Sequence, residues 1–338
     1  MEAGVDKLFE SLRSWEHPAM NLFSGEALLE DVVKVILDMD PGIDDALAII
    51  LALNSPELEI LGITTVSGNV HVEKTSANTL RVLEAVGGGD IPVYRGAERP
   101  LVKDLVTAEW VHGEDGLGDA GLPKPSRQTR DGAVKFLTET LMSEKDVTVV
   151  ATGPLTNIAL TLALEPEIRS RLGRLVLMGG AFGLTPYGHG NATPVSEFNI
   201  HVDPEAAKIV FESGVNPLCV GLDITTDPAT TLKREDVERL ASAGTAEART
   251  AARIIRKFVE RFGFMQLHDP MAVAAAVKPS LFKTSMQHVY VVCEGDLTRG
   301  QTIIERRFWV QSQPNTEICT KVQPQDFLKM FFERLGAE

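Results

Sequence analysis

The sequence has few cysteines, no excess of basic residues and no long apolar run. Three of its 338 residues are cysteine and none forms a CxxC pair, so neither a thiolate zinc site nor a disulfide framework is expected. Lys and Arg total 33 against 47 Asp and Glu, which disfavours nucleic acid and anionic membranes as partners. The longest apolar run, Ala46 to Leu53, is far shorter than the ~20 residues that cross a bilayer. These absences predict a protein of a reducing compartment, and we expect it in the cytoplasm.

The composition, 44% apolar and 24% charged, is that of an ordinary globular protein. Residues 1–30 carry acidic residues and no continuous apolar stretch, which argues against a secretory signal. Their apolar residues recur at helical spacing, which predicts a short amphipathic helix. We therefore divide the chain into an N-terminal extension, residues 1–30, and a single domain over residues 31–338.

From Asp31 onward, β-branched runs alternate with helical patterns. The strands are predicted at Val32–Leu37, Leu58–Val66, Val147–Ala151, Arg174–Met178 and Leu218–Gly221, and the helices at Asp44–Leu53, Val72–Val86, Leu155–Leu164, Arg234–Phe264 and Phe327–Leu335. This alternation predicts an α/β fold with an open, mostly parallel, Rossmann-like sheet and helices on both faces. Ligands of such folds bind at the carboxyl ends of the strands.

Four carboxylates lie within eight residues where the first strand becomes a helix. They are Asp38, Asp40, Asp44 and Asp45, and the Pro-Gly pair between them predicts a tight turn. So many like charges cannot all stay ionised in a desolvated crevice without a cation. Carboxylate oxygens suit Ca²⁺ or Mg²⁺, so the segment predicts a site for a hard divalent cation.

Other interpretations of this acidic segment are less complete. A solvated helix cap explains an isolated Asp-Asp pair better than it explains four acids after a buried strand. An EF-hand loop requires glycine where Ile43 stands and glutamate where Ile49 stands. A Mg²⁺ phosphohydrolase of the haloacid dehalogenase type would use Asp38 and Asp40, although Gly42 replaces the expected Thr or Val, and it remains an alternative.

The segment Asp38–Asp45 resembles the signature of the nucleoside hydrolases, the inosine-uridine-preferring N-ribohydrolase family. Several further motifs follow in the order of that family, so the resemblance extends over roughly residues 32–335. They are Ser67-Gly68-Asn69, Val111-His112-Gly113, Ala151-Thr152-Gly153-Pro154-Leu155-Thr156-Asn157, Met178-Gly179-Gly180, Glu197-Phe198-Asn199, Asp203-Pro204-Glu205 and His268-Asp269-Pro270.

The resemblance implies a Ca²⁺ site and a general base. The metal would be held by the side chains of Asp40, Asp45 and Asp269 and by the carbonyl of Thr152. A cation that binds vicinal hydroxyls orients the sugar and lowers the pKa of the attacking water. Asp40 is the expected general base, because it can contact both metal and water.

The resemblance also implies a pocket for the nucleoside. Asp44 would accept a hydrogen bond from the ribose 2′-hydroxyl, which would select against deoxyribosides. His268, expected to titrate near neutrality, would protonate the leaving base, and His112 would face the base from a long loop. The remaining substrate contacts would come from Asn69, Met178, Asn191, Glu197, Phe198 and Asn199.

The implied activity is Ca²⁺-dependent hydrolysis of the N-glycosidic bond of ribonucleosides to free base and ribose. Inosine, uridine or other pyrimidine nucleosides are the expected substrates, although residues 258–264 lack the tyrosines of some relatives and Trp110 could instead stack on a purine. Besides the phosphohydrolase, a nucleoside- or ribose-binding protein without turnover remains an alternative. Because relatives form dimers or tetramers, a homodimer or homotetramer is expected.

Overall fold

The computed structural model describes residues 32–338, so the helix predicted in residues 1–30 lies outside the described residues. Its centre is a sheet of nine strands. The strands are β1 (Val33–Met39), β2 (Leu58–Thr65), β3 (Val93–Arg95), β4 (Arg130–Asp131), β5 (Thr148–Ala151), β6 (Arg174–Met178), β7 (Leu218–Val220), β10 (Phe282–Gln287) and β13 (Thr316–Val322), with the short strands β8 (Leu232–Lys233), β9 (Phe264–Met265), β11 (Val289–Val291) and β12 (Thr302–Ile304) outside it.

The strand order is β4-β3-β2-β1-β5-β6-β7-β13-β10, and every neighbouring pair is parallel except β10 with β13. The predicted mostly parallel α/β sheet is therefore confirmed. The chain leaves the central strand β1 towards β2 on one side and returns to β5 on the other. This reversal leaves a crevice at the carboxyl ends of β1 and β5, where open α/β sheets bind ligands.

Twelve helices accompany the sheet in the described residues. They are α1 (Ile43–Leu53), α2 (Val72–Ala85), α3 (Glu109–His112), α4 (Ala133–Ser143), α5 (Thr156–Leu164), α6 (Phe198–Val202), α7 (Pro204–Glu212), α8 (Leu222–Thr225), α9 (Arg234–Ser242), α10 (Ala246–Phe262), α11 (His268–Val277) and α12 (Pro324–Leu335). Each is too short or too polar to span a bilayer.

The apolar residues form two cores, one on each face of the sheet. Strand β1 contributes to both, because successive side chains of a strand point to opposite faces. Val35 and Leu37 belong to the core that includes helices α1, α10 and α11, whereas Ile36 belongs to the core that includes α5 and α7. Burial on both faces explains why the β1 sequence is apolar without alternation.

The prediction of continuous helix over Arg234–Phe264 is wrong in one respect, because the structure has two helices there, α9 and α10. Ala243 has extended backbone angles, and Thr245 starts α10 by accepting a hydrogen bond from Ala248 N on its side chain. A threonine cap favours a new helix start over continuation of the first helix. The last predicted residue of the stretch, Phe264, lies in β9, which pairs with β8.

Candidate active site

A cavity of about 410 Å³ opens at the carboxyl ends of β1, β5 and β6. The structure brings most of the predicted site residues to its wall. These are Asp44, Asn69, His112, Thr152, Met178, Asn191, Glu197, Phe198, Asn199, His268 and Asp269. Asp40 and Asp45 are not part of the wall, and both are fully buried behind it.

Three carboxylates converge at this cavity from two helix N-termini. Asp44 and Asp45 lie in the first turn of α1 and Asp269 lies in the first turn of α11, and one oxygen of each is within 4.8 Å of the others. The turn before α1 is fixed by Gly42 N, which donates a 3.0 Å hydrogen bond to Asp45 Oδ2. Helix N-termini favour negative charge, which offsets part of the repulsion.

Asp40 carries an oxygen without a partner beside this cluster. Its Oδ2 accepts a 2.6 Å hydrogen bond from Asn69 N, whereas its Oδ1 is buried and has no hydrogen-bond partner among residues 32–338. A Cβ at Gly68 would lie 2.1 Å from Oδ2, so only glycine allows this approach. Buried polar oxygens are usually satisfied, so Oδ1, which lies beside three other carboxylates, is available to bind a ligand that is not protein.

The electrostatics of the four carboxylates favour a positively charged ligand. Burial and, next, the Asp45 charge raise the pKa of Asp40 well above its ordinary value, and burial with the same neighbour raises the pKa of Asp44 to about 7. Burial likewise raises the pKa of Asp45 and of Asp269. In the described part of the chain, no lysine or arginine lines the cavity or bonds to these carboxylates.

Two asparagines that were expected to contact the substrate also hold the site together. Asn69 Nδ2 donates to Asp45 Oδ2 at 3.1 Å and to Asp40 O at 3.2 Å. Asn199 Nδ2 donates to Thr152 O at 2.7 Å and to Met178 O at 3.1 Å, which joins the ends of β5 and β6. The amide hydrogens of both residues are thus engaged by protein, and their remaining side-chain surface faces the cavity.

Glu197 is the N-cap of α6. Its carboxylate accepts hydrogen bonds from Asn199 N at 2.8 Å and Ile200 N at 3.0 Å, and also from Gly180 N at 3.2 Å. Asn191 Oδ1 accepts from Phe198 N at 2.9 Å. These contacts fix the loop after β6 against α6, so that Met178 and Phe198 stand on the same cavity wall.

Two histidines line the cavity, and the Nδ1 atom of each ring has a hydrogen-bond partner in the protein. Ile43 N donates a 3.1 Å hydrogen bond to His112 Nδ1, and His268 Nδ1 lies 2.8 Å from Thr225 Oγ1. Burial lowers the pKa of each imidazole to about 4. The expectation that His268 titrates near neutrality is therefore wrong for this structure, in which both rings are neutral at pH 7.

Asp38 lies away from the cavity. Its Oδ1 accepts hydrogen bonds from Thr64 Oγ1 at 2.6 Å and Asn157 Nδ2 at 2.8 Å, and the residue is completely buried. A side chain enclosed in this way cannot attack a phosphate in the cavity. The phosphohydrolase alternative therefore lacks its nucleophile.

Sequence reasoning missed several residues of the site. Thr225, which contacts His268, follows strand β7, and its position after a strand was the one signal that could have identified it. His201 and Gln266 also line the cavity, as does the aromatic ring of Phe258. None of these residues belongs to a motif that indicates chemistry on its own.

The fold and the site together define an enzyme whose carboxylate cluster faces a small-molecule cavity at the edge of a parallel sheet. The sequence model described as "Inosine-uridine preferring nucleoside hydrolase" matches residues 35–329. The pyrimidine-specific ribonucleoside hydrolase RihA of Citrobacter koseri is 43% identical over 313 residues, which cover 90% of this chain and 98% of that protein.

Solved structures agree with this assignment. A plant nucleoside hydrolase, the PpNRh1 enzyme, has a TM-score of 0.84 and 33% identity, over 91% of this chain and 100% of that chain. A purine-preferring ribonucleoside hydrolase from Gardnerella vaginalis has a TM-score of 0.83 and 35% identity, over 90% and 98%. The chain belongs to the nucleoside hydrolase family. It is a ribonucleoside hydrolase, an enzyme that cleaves the N-glycosidic bond of ribonucleosides. This assignment replaces the alternative interpretation as a nucleoside- or ribose-binding protein without turnover.

Proposed function

We propose that this ribonucleoside hydrolase depends on Ca²⁺ and acts on pyrimidine ribonucleosides. The observation that carries the metal requirement is the unpartnered Oδ1 of Asp40 beside the cluster of Asp44, Asp45 and Asp269. Buried acids without any basic partner fit a hard cation that prefers oxygen ligands. We assign its ligands to Asp40, Asp45, Asp269 and the carbonyl of Thr152.

The chain's own groups prepare the attack on the sugar. When bound, the cation would lower the pKa of a coordinated water and bind the ribose hydroxyls. Asp40 is the proposed general base: its Oδ2 is held by Asn69 N, which leaves Oδ1 to accept the proton of the water. Ionised Asp40 requires a compensating charge, because burial and Asp45 oppose its ionisation.

The ribose is proposed to lie between the carboxylates and the wall of α6. Asp44, half-buried at the cavity, would accept a hydrogen bond from the 2′-hydroxyl. Met178 and Phe198 would flank the apolar face of the sugar. The other hydroxyls would be bound by Asn69, Asn191, Glu197 and Asn199.

The nucleobase is proposed to lie between His112 and His268. Because burial favours the neutral form of both rings, their contribution is a hydrogen bond from a ring N–H to the leaving base as negative charge develops on it. The choice of pyrimidines is supported by RihA relatives that are 42–43% identical, whereas the purine-preferring relative from Gardnerella vaginalis is 35% identical.

The proposal is tested by two measurements on the purified enzyme. Reducing-sugar release from uridine should stop after treatment with EDTA and return with added Ca²⁺. With the metal present, kcat/KM for uridine and cytidine should exceed that for inosine and adenosine by tenfold or more. Full activity after exhaustive chelation contradicts the metal assignment, and equal or higher purine rates contradict the pyrimidine assignment.

We also propose that the enzyme is a cytoplasmic homodimer or homotetramer. The three free cysteines, two of them buried, support a reducing compartment.

The proposed self-association is supported by an exposed aromatic pair, Phe308 at 93% exposure and Trp309 at 67%. Light scattering after size exclusion tests the assembly, and a monomer at micromolar concentration contradicts it.

A further inference from the structure

The hydroxyl group of Thr225 contacts the ring of His268, although the two residues are far apart in the sequence. Thr225 ends the short helix α8 that follows β7, and His268 begins α11, 43 residues later. Thr225 Oγ1 lies 2.8 Å from His268 Nδ1. Thr225 is completely buried, so water does not compete for its hydroxyl group.

The hydrogen-bond partners available to the hydroxyl group and to the ring indicate which of the two atoms donates. Among residues 32–338, Thr225 Oγ1 has no hydrogen-bond partner other than His268 Nδ1. If Nδ1 carried the ring hydrogen, it would donate to Oγ1 and the hydroxyl hydrogen would be left without an acceptor in a dry position. If the hydroxyl donates, both groups are satisfied and the ring hydrogen lies on Nε2. A buried donor without a partner is costly, so the second arrangement is favoured.

We propose that Thr225 is a positioning residue that donates to His268 Nδ1 and so keeps the ring hydrogen of His268 on Nε2. Nε2 is the ring nitrogen that Thr225 does not engage, and His268 lines the cavity. Thr225 therefore determines whether His268 presents a donor or an acceptor to the nucleobase. The inference rests on the proposed role of His268 as donor to the leaving base.

The second histidine of the cavity supports this interpretation. His112 Nδ1 accepts from the backbone N–H of Ile43, which can only donate, so the neutral ring of His112 also carries its hydrogen on Nε2. The two imidazoles thus present the same kind of donor, one fixed by the backbone and the other by a side chain. The Thr225 contact is the one that a side-chain substitution removes without changing the backbone.

The kinetic test compares Thr225→Val, which removes the hydroxyl while keeping the shape, with Thr225→Ser, which keeps it. In the Ca²⁺-loaded enzyme, Thr225→Val should lower kcat for uridine tenfold or more and that for p-nitrophenyl riboside less than twofold, because nitrophenolate leaves without a hydrogen-bond donor. Thr225→Ser should stay within threefold of the wild type on both substrates. A purely structural role for Thr225 would lower both rates together, and that result overturns the proposal.

The neighbouring Thr226 offers a matched control. Its hydroxyl donates to the backbone carbonyls of Leu222 and Tyr187, and it does not line the cavity. Thr226→Val therefore removes a hydroxyl from the same turn without touching His268. It should change the two substrates equally, whereas a selective loss on uridine would contradict the assignment to Thr225.

A spectroscopic measurement separates this inference from the proposed role of His268. In protein labelled with ¹⁵N-histidine, the ring signals of His268, assigned with His268→Gln, should report the Nε2–H tautomer in the wild type and a mixture in Thr225→Val. A wild-type ring with hydrogen on Nδ1 overturns the inference whatever the kinetics. If the tautomer is Nε2–H but His268→Ala slows both substrates equally, the tautomer assignment stands and the donor role of His268 falls.

Discussion

The side chain of Thr152 donates a 2.7 Å hydrogen bond to Oδ1 of Asp45. The same residue offers its carbonyl to Asn199 Nδ2 at 2.7 Å. One residue after β5 therefore orients an acid in the first turn of α1 and is itself held by α6. The carboxyl ends of the neighbouring strands β1 and β5 bring Thr152 and Asp45 together, although the two residues are 107 positions apart in the chain.

The Thr152 hydroxyl should matter for metal affinity. Thr152→Val removes the donor to Asp45 Oδ1 and leaves this carboxylate held through Oδ2 alone, so we expect Ca²⁺ to bind about tenfold to a hundredfold more weakly, as is typical when a group that orients a metal ligand is lost. Thr152→Ser retains the hydroxyl and should bind within about threefold of the wild type. Calorimetric Ca²⁺ titration measures both variants, and wild-type affinity in Thr152→Val would contradict the prediction.

Asp40→Asn should abolish most turnover without unfolding the protein. The amide can still accept from Asn69 N, but it cannot take a proton from water, so kcat should fall by a factor of about 10² to 10⁴. Without Ca²⁺ the variant should be more stable than the wild type, because asparagine cannot ionise, whereas burial and the neighbouring Asp45 oppose the ionisation of Asp40 in the folded protein. Urea unfolding in EDTA and uridine kinetics test the two parts, and near-normal kcat would exclude Asp40 as the base.

Much of the fold could be predicted because strands β1, β2 and β5 are rich in buried apolar residues and each is followed by a helix with an apolar face. Strand β3 has only three residues, and β10 and β13 belong to an antiparallel edge that carries no helix between adjacent strands. Such short or edge strands leave a weak signal in the sequence. The break at Ala243 was also missed, because residues on both sides of it favour a helix.

The site was predictable where charges are close in sequence and not where folding joins distant groups. Four aspartates around a Pro-Gly turn indicate a cation without any structure. Nothing in the sequence shows that Asn199 bonds to two backbone carbonyls, or that burial keeps His268 neutral. Hydrogen-bond partners and desolvation are tertiary properties, so the Thr225 contact could not be found by motif.

Asp44 should govern the preference for ribose over deoxyribose. A carboxylate that has accepted a hydrogen bond from the 2′-hydroxyl is left unpaired when that group is missing, so the wild type should reject 2′-deoxyuridine strongly. Asp44→Ala should lower kcat/KM for uridine by a factor of about 10² or more and that for 2′-deoxyuridine by much less. The ratio of the two kcat/KM values is the readout. A ratio unchanged by the substitution would assign the discrimination to another residue.

Bound Ca²⁺ should raise the thermal stability of the folded enzyme. A ligand that binds only the native state stabilises it by about 2.7 kcal/mol at a hundred times its Kd. Melting in EDTA and in excess Ca²⁺ should therefore give a higher Tm with the metal. Asp269→Asn is the matched control, because it removes one proposed ligand from the cluster while preserving the shape of the side chain. A Ca²⁺-induced shift in Asp269→Asn equal to that of the wild type would place the ion elsewhere.

His112 should make stability fall in mild acid. The pKa of its ring is about 4 in the folded protein and 6.5 in the reference state, so between these values the unfolded chain takes up a proton that the folded chain does not. Stability is therefore lost as the pH falls from 6.5 towards 4, and the loss from this group reaches about 2 kcal/mol at pH 5. Protonation would also turn Nδ1 into a donor facing Ile43 N–H. His112→Asn keeps an acceptor for that N–H and cannot titrate, whereas the raised pKa values of the four aspartates act on both proteins alike. In EDTA, the urea unfolding free energy of the wild type relative to that of His112→Asn should therefore fall by about 2 kcal/mol from pH 7.5 to 5. An unchanged difference would mean that the His112 ring is protonated in the folded protein as readily as in the unfolded chain.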